Sequence, residues 1–148
     1  MDPVQLATIA SILVAALSLL FAVWVYRRQM NAQLFLEYTR RYEQIMESLP
    51  PEERSARLDT TGDPPPESTA VTTAALRYLN LCSEEFYLWR RGYLAGDIWR
   101  IWEAEMERTL RSPLLQREWS KLRSEFSSYS DFARYVDSIQ RAGKPPAA

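Results

Sequence analysis

One stretch constrains this chain more than any other. From Val4 to Tyr26 run 23 residues, of which 19 are hydrophobic, and the remaining four, Gln5, Thr8, Ser11 and Ser18, are uncharged. At about 1.5 Å of rise per residue such a stretch forms a helix of about 35 Å, enough to cross a hydrocarbon core of about 30 Å with some tilt. All 18 basic and 19 acidic residues lie elsewhere, and outside the stretch only 50 of 125 residues are hydrophobic. The overall hydrophobic content of 47% in 148 residues therefore averages two unlike populations.

The flanks decide how the stretch is read. A secretory signal needs a basic start, a shorter apolar core of about 7–15 residues and a small-residue cleavage box. Here the start, Met1-Asp2-Pro3, is acidic, and the run ends in Trp24-Val25-Tyr26-Arg27-Arg28, an aromatic belt followed by a basic stop. The expectation is a short N-terminal tail and a retained transmembrane helix within residues 1–26, with the lipid bilayer as its first partner. Asp2 precedes it, while Arg27, Arg28, Arg40 and Arg41 follow it. That bias predicts a single-pass plasma-membrane protein with its N-terminus outside and its C-terminal domain in the cytoplasm. The single cysteine, Cys82, fits a reducing compartment and excludes an intramolecular disulfide framework. Within the span Ala7, Ser11, Ala15, Ser18 and Ala22 recur at spacings of 4, 4, 3 and 4. Small residues on one face let helix backbones approach closely in lipid, so this is a candidate association face.

Beyond Tyr26 no breaker appears until Pro50. Leu34, Tyr38, Tyr42, Ile45 and Leu49 mark one apolar face, so the span is expected to continue as a juxtamembrane amphipathic helix over 27–49. Residues 50–67 are rich in proline and read as a linker, in which Pro51-Glu52-Glu53 suits a short helix through Leu58. Residues 68–142 read as a small bundle of about four helices. Val71, Ala75, Tyr78, Cys82, Phe86 and Trp89 line the first, and Arg90-Arg91-Gly92 ends it. Asp97 is the expected N-cap of the second, with Ile98, Trp99, Ile101, Trp102, Met106 and Leu110 buried. Ser112-Pro113 starts the third, whose apolar face runs through Phe126, and Ser130 is the expected cap of the fourth. Gly143 and Pro145-Pro146 close it, and 143–148 is expected to be a disordered tail. The predicted fold class is all-α. So small a bundle buries only a modest core, so support from residues 34–49 is expected, by packing back or by dimerising.

Chemistry is sparse. With no histidine, imidazole catalysis and histidine metal sites are excluded, and no cofactor or metal is expected. Glu103, Glu105 and Glu107 read as a solvated face, with Glu105 three residues before Arg108 and Glu107 four before Arg111. Cys82 lies on the apolar face without a base and reads as core. Arginines beside tryptophans, as at Trp89-Arg90-Arg91 and Trp99-Arg100, suit nucleic acid, but residues 27–148 carry 18 basic and 18 acidic residues. Zero net charge is a poor footprint for a phosphate backbone.

Asn80-Leu81-Cys82-Ser83-Glu84-Glu85-Phe86, then Arg91-Gly92-Tyr93, then Trp99-Arg100-Ile101-Trp102, together with Ser112-Pro113, form a recognisable pattern. It resembles that of a group of short bacterial proteins with one N-terminal span and a cytoplasmic helical domain, over roughly residues 75–120. That group has no assigned activity, so the resemblance implies architecture and membrane location and transfers no catalytic residue. The residues themselves suggest a corner. Asn80, Glu84 and Glu85 are expected near the turn formed by Arg91, Gly92 and Asp97, with the carboxylates accepting from exposed amides. These six are the candidate structural corner or binding patch.

The functional expectation is a non-enzymatic, membrane-tethered interaction or scaffold protein whose helical domain binds an unknown partner protein or a second copy of the chain. The alternative is a small membrane-acting effector, a toxin or phage-defence component. A carboxylate-metal enzyme comes third.

Overall fold

A computed structural model describes residues 2–59 and 61–142, so the tail expected at 143–148 lies outside the described residues. The chain is all-α. Its elements are α1 (Pro3–Glu47), α2 (Pro51–Ala56), α3 (Thr69–Arg90), α4 (Gly96–Leu110), α5 (Pro113–Leu122), a 3₁₀ segment (Arg123–Tyr129) and α6 (Ser130–Ala142). The chain divides into two compact units, residues 1–36 and 37–148, and α1 contributes to both.

The first unit is helix from Pro3 onward, with every residue from Val4 to Trp24 exposed. α1 is the one described helix long and apolar enough to cross a membrane, by length and composition. Phe21 and Trp24 stack at 5.8 Å, and the Arg28 guanidinium lies 5.1 Å from the Trp24 ring centre. Ala7, Ser11, Ala15, Ser18 and Ala22 fall within about 80° of arc on this helix. All five are exposed, and the Ser11 hydroxyl is turned inward to donate to the Ala7 carbonyl at 2.8 Å.

The second unit contains the last turns of α1 as well as the bundle. Tyr38, Ile45, Met46 and Leu49 are buried in it, so the stretch after the basic stop does pack back. Pro50 ends that packing and Pro51 opens α2 at its first position, where a missing N–H costs nothing. Arg57 fastens α2 to α1 through the Tyr42 hydroxyl, at 3.2 and 2.8 Å. The linker is held by α5: Arg117 donates to the Pro65 carbonyl, and Lys121 pairs with Glu67 at 3.0 Å. Beneath them Glu118, fully buried, accepts from Thr72 at 2.8 Å and from Arg117 at 2.8 Å.

Ser112 caps α5 as its sequence implies, and Ser68 caps α3. Ser68 accepts from the Val71 amide at 3.2 Å, and Ser112 accepts from the Leu115 amide at 3.3 Å with Pro113 at the first helical position. Four expectations are corrected. Asp97 is not the N-cap of α4: Ala95, extended at φ −66° and ψ 142°, occupies that place, and Asp97 lies in the first turn. The helix of α5 stops at Leu122, and the chain continues as a 3₁₀ segment kinked at Phe126 (φ −96°, ψ 18°). Ser130 is therefore entered from helical backbone, at φ −55° and ψ −32°, whereas an N-cap is extended. Finally, Ile101 is 62% exposed: it stands about 160° around α4 from the buried Trp99.

The core is aromatic. Trp89 and Trp99 stack at 4.6 Å with planes 9° apart, and Phe86 touches Trp99, Phe132 and Tyr135 at 6.1, 5.9 and 4.9 Å. Trp119 packs on Phe126 at 5.5 Å and donates its indole N–H to Asp137 at 2.9 Å. Of the expected core aromatics, Trp89 and Trp102 are only half-buried.

Candidate functional site

α3 carries the residues that matter most, because its 22 residues are packed from several sides. Its inner face buries Leu79, Cys82 and Phe86. Glu84 and Glu85 lie one step apart on a helix and so point about 100° from each other, which gives them different environments.

Glu84 faces α1. Both ends of the Arg41 guanidinium donate to it, Nη1 to Oε2 at 2.6 Å and Nη2 to Oε1 at 3.0 Å, and the Tyr38 hydroxyl donates to Oε2 at 3.2 Å. The fork from Arg41 holds the Glu84 carboxyl below its ordinary range, and the same bond raises Arg41. Tyr38 also stacks on Trp102 at 5.4 Å, with the Arg41 guanidinium 5.2 Å from its ring centre. Burial, and then the Glu84 charge, push its hydroxyl up to about 12.

Glu85 is buried and accepts no hydrogen bond among the described residues. Burial pushes its carboxyl up to about 8; Arg41 pulls it down by less, and Glu84 adds to the rise. It is therefore largely protonated at neutral pH. Burial, with Glu85 second, also pushes the Cys82 thiol well up, so Cys82 is a packed thiol and a poor nucleophile.

The expected corner does not form around these carboxylates. Glu84 is occupied by Arg41 and Tyr38, Glu85 is buried, and Asn80 lies more than two turns before the end of α3. The turn at the end of α3 stands on its own backbone. Arg90 is the last helical residue and Arg91 the C-cap; Gly92 takes φ +72°, its N–H bonds the Trp89 carbonyl at 2.9 Å, and the Tyr93 N–H bonds the Leu88 carbonyl at 2.9 Å. That is a Schellman ending, with glycine at the left-handed position. Asp97 accepts from the neighbouring Ile98 amide at 3.0 Å, an acid in a first helical turn.

Asn80 lines an open cleft of about 420 Å³ with Arg41, Arg77 and Glu84. A second cleft of about 480 Å³ shares Ser83 and Tyr129 with the first and runs on to Arg90, Arg91 and Asp131. The six candidates are thus divided: Asn80, Glu84 and Arg91 reach one outward strip of α3, Glu85 faces inward, and Gly92 and Asp97 shape the turn.

On α4, Glu105 pairs with Arg108 at 2.6 Å and Glu107 with Arg111 at 2.7 Å, as their spacing implied. Glu103 instead accepts from the Tyr135 hydroxyl at 3.5 Å. Among the described residues no three metal-ligating side chains stand together. The contact that sequence reasoning missed is Arg41–Glu84, whose partners lie 43 residues apart. Its one trace is that Arg41 follows Tyr38 by three, on the flank of the apolar stripe.

The chain matches no protein-family model, no curated protein and no solved structure.

Proposed function

We propose that this chain is a single-span membrane protein whose helical domain is tethered at the cytoplasmic surface and acts by binding a protein partner or a second copy of itself. One observation carries the reading. α1 is a single helix of 45 residues whose apolar N-terminal part is exposed while its last turns bury Tyr38, Ile45 and Met46 in the domain. An exposed apolar helix of this length needs lipid around it. The Trp24–Arg28 pair suits an interface, and the basic residues after it favour the N-out orientation. Tethering confines the domain to a surface, which raises its effective concentration for any partner held there.

The Arg41–Glu84 clamp fixes the last turns of α1 to α3 within the domain. The five small residues at 7, 11, 15, 18 and 22 are the face by which two spans would meet.

The test is crosslinking in membranes, comparing the full chain with one in which Ala7, Ala15 and Ala22 are replaced by leucine. A specific adduct, to itself or to another protein, supports the reading. A full chain that yields only monomer at every crosslinker dose contradicts it.

A further inference from the structure

The outward strip of α3 ends in an arrangement that protein tethering does not require. Arg90 and Arg91 close α3, and the kinked 3₁₀ segment carries Ser128 and Tyr129 across to the same cleft, followed by Ser130 and Asp131 of α6. The two guanidiniums are stacked in advance, Arg91 at 5.4 Å from the Tyr87 ring centre and Arg90 at 6.0 Å from that of Phe86. Stacking restrains the side chains while leaving their N–H forks for a ligand, which reduces the ordering cost of binding.

The charges in the cleft are unbalanced. Arg91 has no carboxylate partner among the described residues. Arg90 has only Asp131, at 3.6 Å, with both side chains more than half exposed (57% and 54%). Asp131 is itself engaged by Arg134. The hydroxyls of Ser128 and Ser130 make no hydrogen bond among the described residues, and the rings of Tyr87 and Tyr129 are 47% and 51% exposed.

Together these are one guanidinium without a carboxylate partner, a second held only by Asp131, two hydroxyls and two half-exposed tyrosine rings, that of Tyr87 lying against Arg91, around about 480 Å³. The volume suits a small molecule. A planar carboxylate is satisfied by one fork, whereas a phosphate group has enough oxygens for both arginines and the serines. Aromatic faces beside the anion site suit a flat base. We propose that this cleft binds a phosphate-bearing small ligand, with nucleoside di- and triphosphates the class that also uses the tyrosines. The zero net charge of the domain hides the site, because two arginines are gathered at the end of α3 and the cleft sets only Asp131 against them.

The experiment uses the full chain in detergent micelles, titrated calorimetrically with ATP and with inorganic pyrophosphate, and in nanodiscs of phosphatidylcholine with or without phosphatidic acid. The expected result is saturable ATP binding that weakens at least tenfold in Arg91→Ala and severalfold in the double variant Ser128→Ala/Ser130→Ala. Arg100→Ala, an exposed arginine outside the cleft, is expected to bind as the unchanged chain does. Tyr129→Ala is expected to weaken ATP and leave pyrophosphate unaffected.

Equal affinity for ATP and pyrophosphate would keep the phosphate site and overturn the role of the rings. An Arg91-dependent response to phosphatidic acid alone would assign the site to a lipid headgroup and overturn the nucleotide. No binding by folded chain at millimolar probe, or equal loss in Arg91→Ala and Arg100→Ala, would overturn the proposal. None of these outcomes bears on membrane tethering, which is tested separately.

Discussion

Arg41 and Glu84, 43 residues apart in the chain, meet through both guanidinium ends at 2.6 and 3.0 Å. The pair joins the last turns of α1 to α3, and Tyr38 completes it from one turn earlier. About 40% of each side chain is still exposed (36% and 44%), so solvent discounts the Coulomb part. The expected coupling energy in a double-mutant cycle of Arg41→Ala and Glu84→Ala is about 1 kcal/mol, measured by urea unfolding of the detergent-held chain. A coupling indistinguishable from zero would mean that the clamp contributes nothing to the join.

Glu85 predicts an unusual pH profile. Its carboxyl is pushed up to about 8 in the folded chain, against about 4.3 in an unfolded one. Between those values the folded chain keeps a proton that the unfolded chain has lost. This contribution to stability is therefore full below about pH 4 and declines as pH rises to about 8. Glu84 works the other way: its lowered carboxyl contributes above the unfolded value and loses that contribution as pH falls through the folded one. Melting temperature against pH is expected to peak near the unfolded carboxyl value, about pH 4.3. Glu85→Gln, which mimics the protonated form, is expected to flatten the alkaline side, with a gain on the order of a few kcal/mol at pH 8. An identical profile in the variant would refute the assignment.

The end of α3 predicts a backbone effect. Nothing stands within 4 Å of the place a Cβ would take on Gly92, so the penalty for Gly92→Ala comes from φ +72° alone. The expected loss is about 1 kcal/mol in chemical denaturation, with the helix content unchanged. Asn is expected to cost less than Ala at this position, because it tolerates the left-handed region better.

Two neighbours on α4 should behave oppositely. Trp99 is 2% exposed and stacked on Trp89, so Trp99→Ala is expected to cost about 3–5 kcal/mol. Ile101, at 62% exposure, is expected to cost under about 0.5 kcal/mol when replaced by alanine. Thermal unfolding of the two variants side by side checks both.

The helices of this chain were legible because each carries a periodic apolar face and most carry end signals. Ser68, Ser112-Pro113 and Gly92 mark their boundaries through local chemistry, and local chemistry is what a sequence displays. The i,i+3 and i,i+4 pairs on α4 were readable for the same reason. Where a second element intervened, the reading failed. Asp97 looked like a cap, but the extended residue before α4 is Ala95. Ile101 matched the apolar composition of its helix yet fell on the wrong face once Trp99 was buried. Phe126 continued the spacing of α5, but its burial against Trp119 and Phe132 goes with a kink that periodicity does not announce. At the candidate site the sequence singled out Glu84, Glu85 and Arg91. It could not assign their partners, because Arg41 and the Ser128–Ser130 segment reach them only through the tertiary fold.

If the apolar part of α1 holds the chain in a membrane, the chain resists alkaline carbonate extraction of membranes from cells expressing it in full. The comparison is a variant with Leu13→Arg and Leu17→Arg in the middle of the apolar stretch. The full chain is expected to stay with the membrane pellet, and the variant, whose two charges are costly at the bilayer centre, to move to the supernatant. A full chain that is released by carbonate and remains soluble without detergent would contradict it.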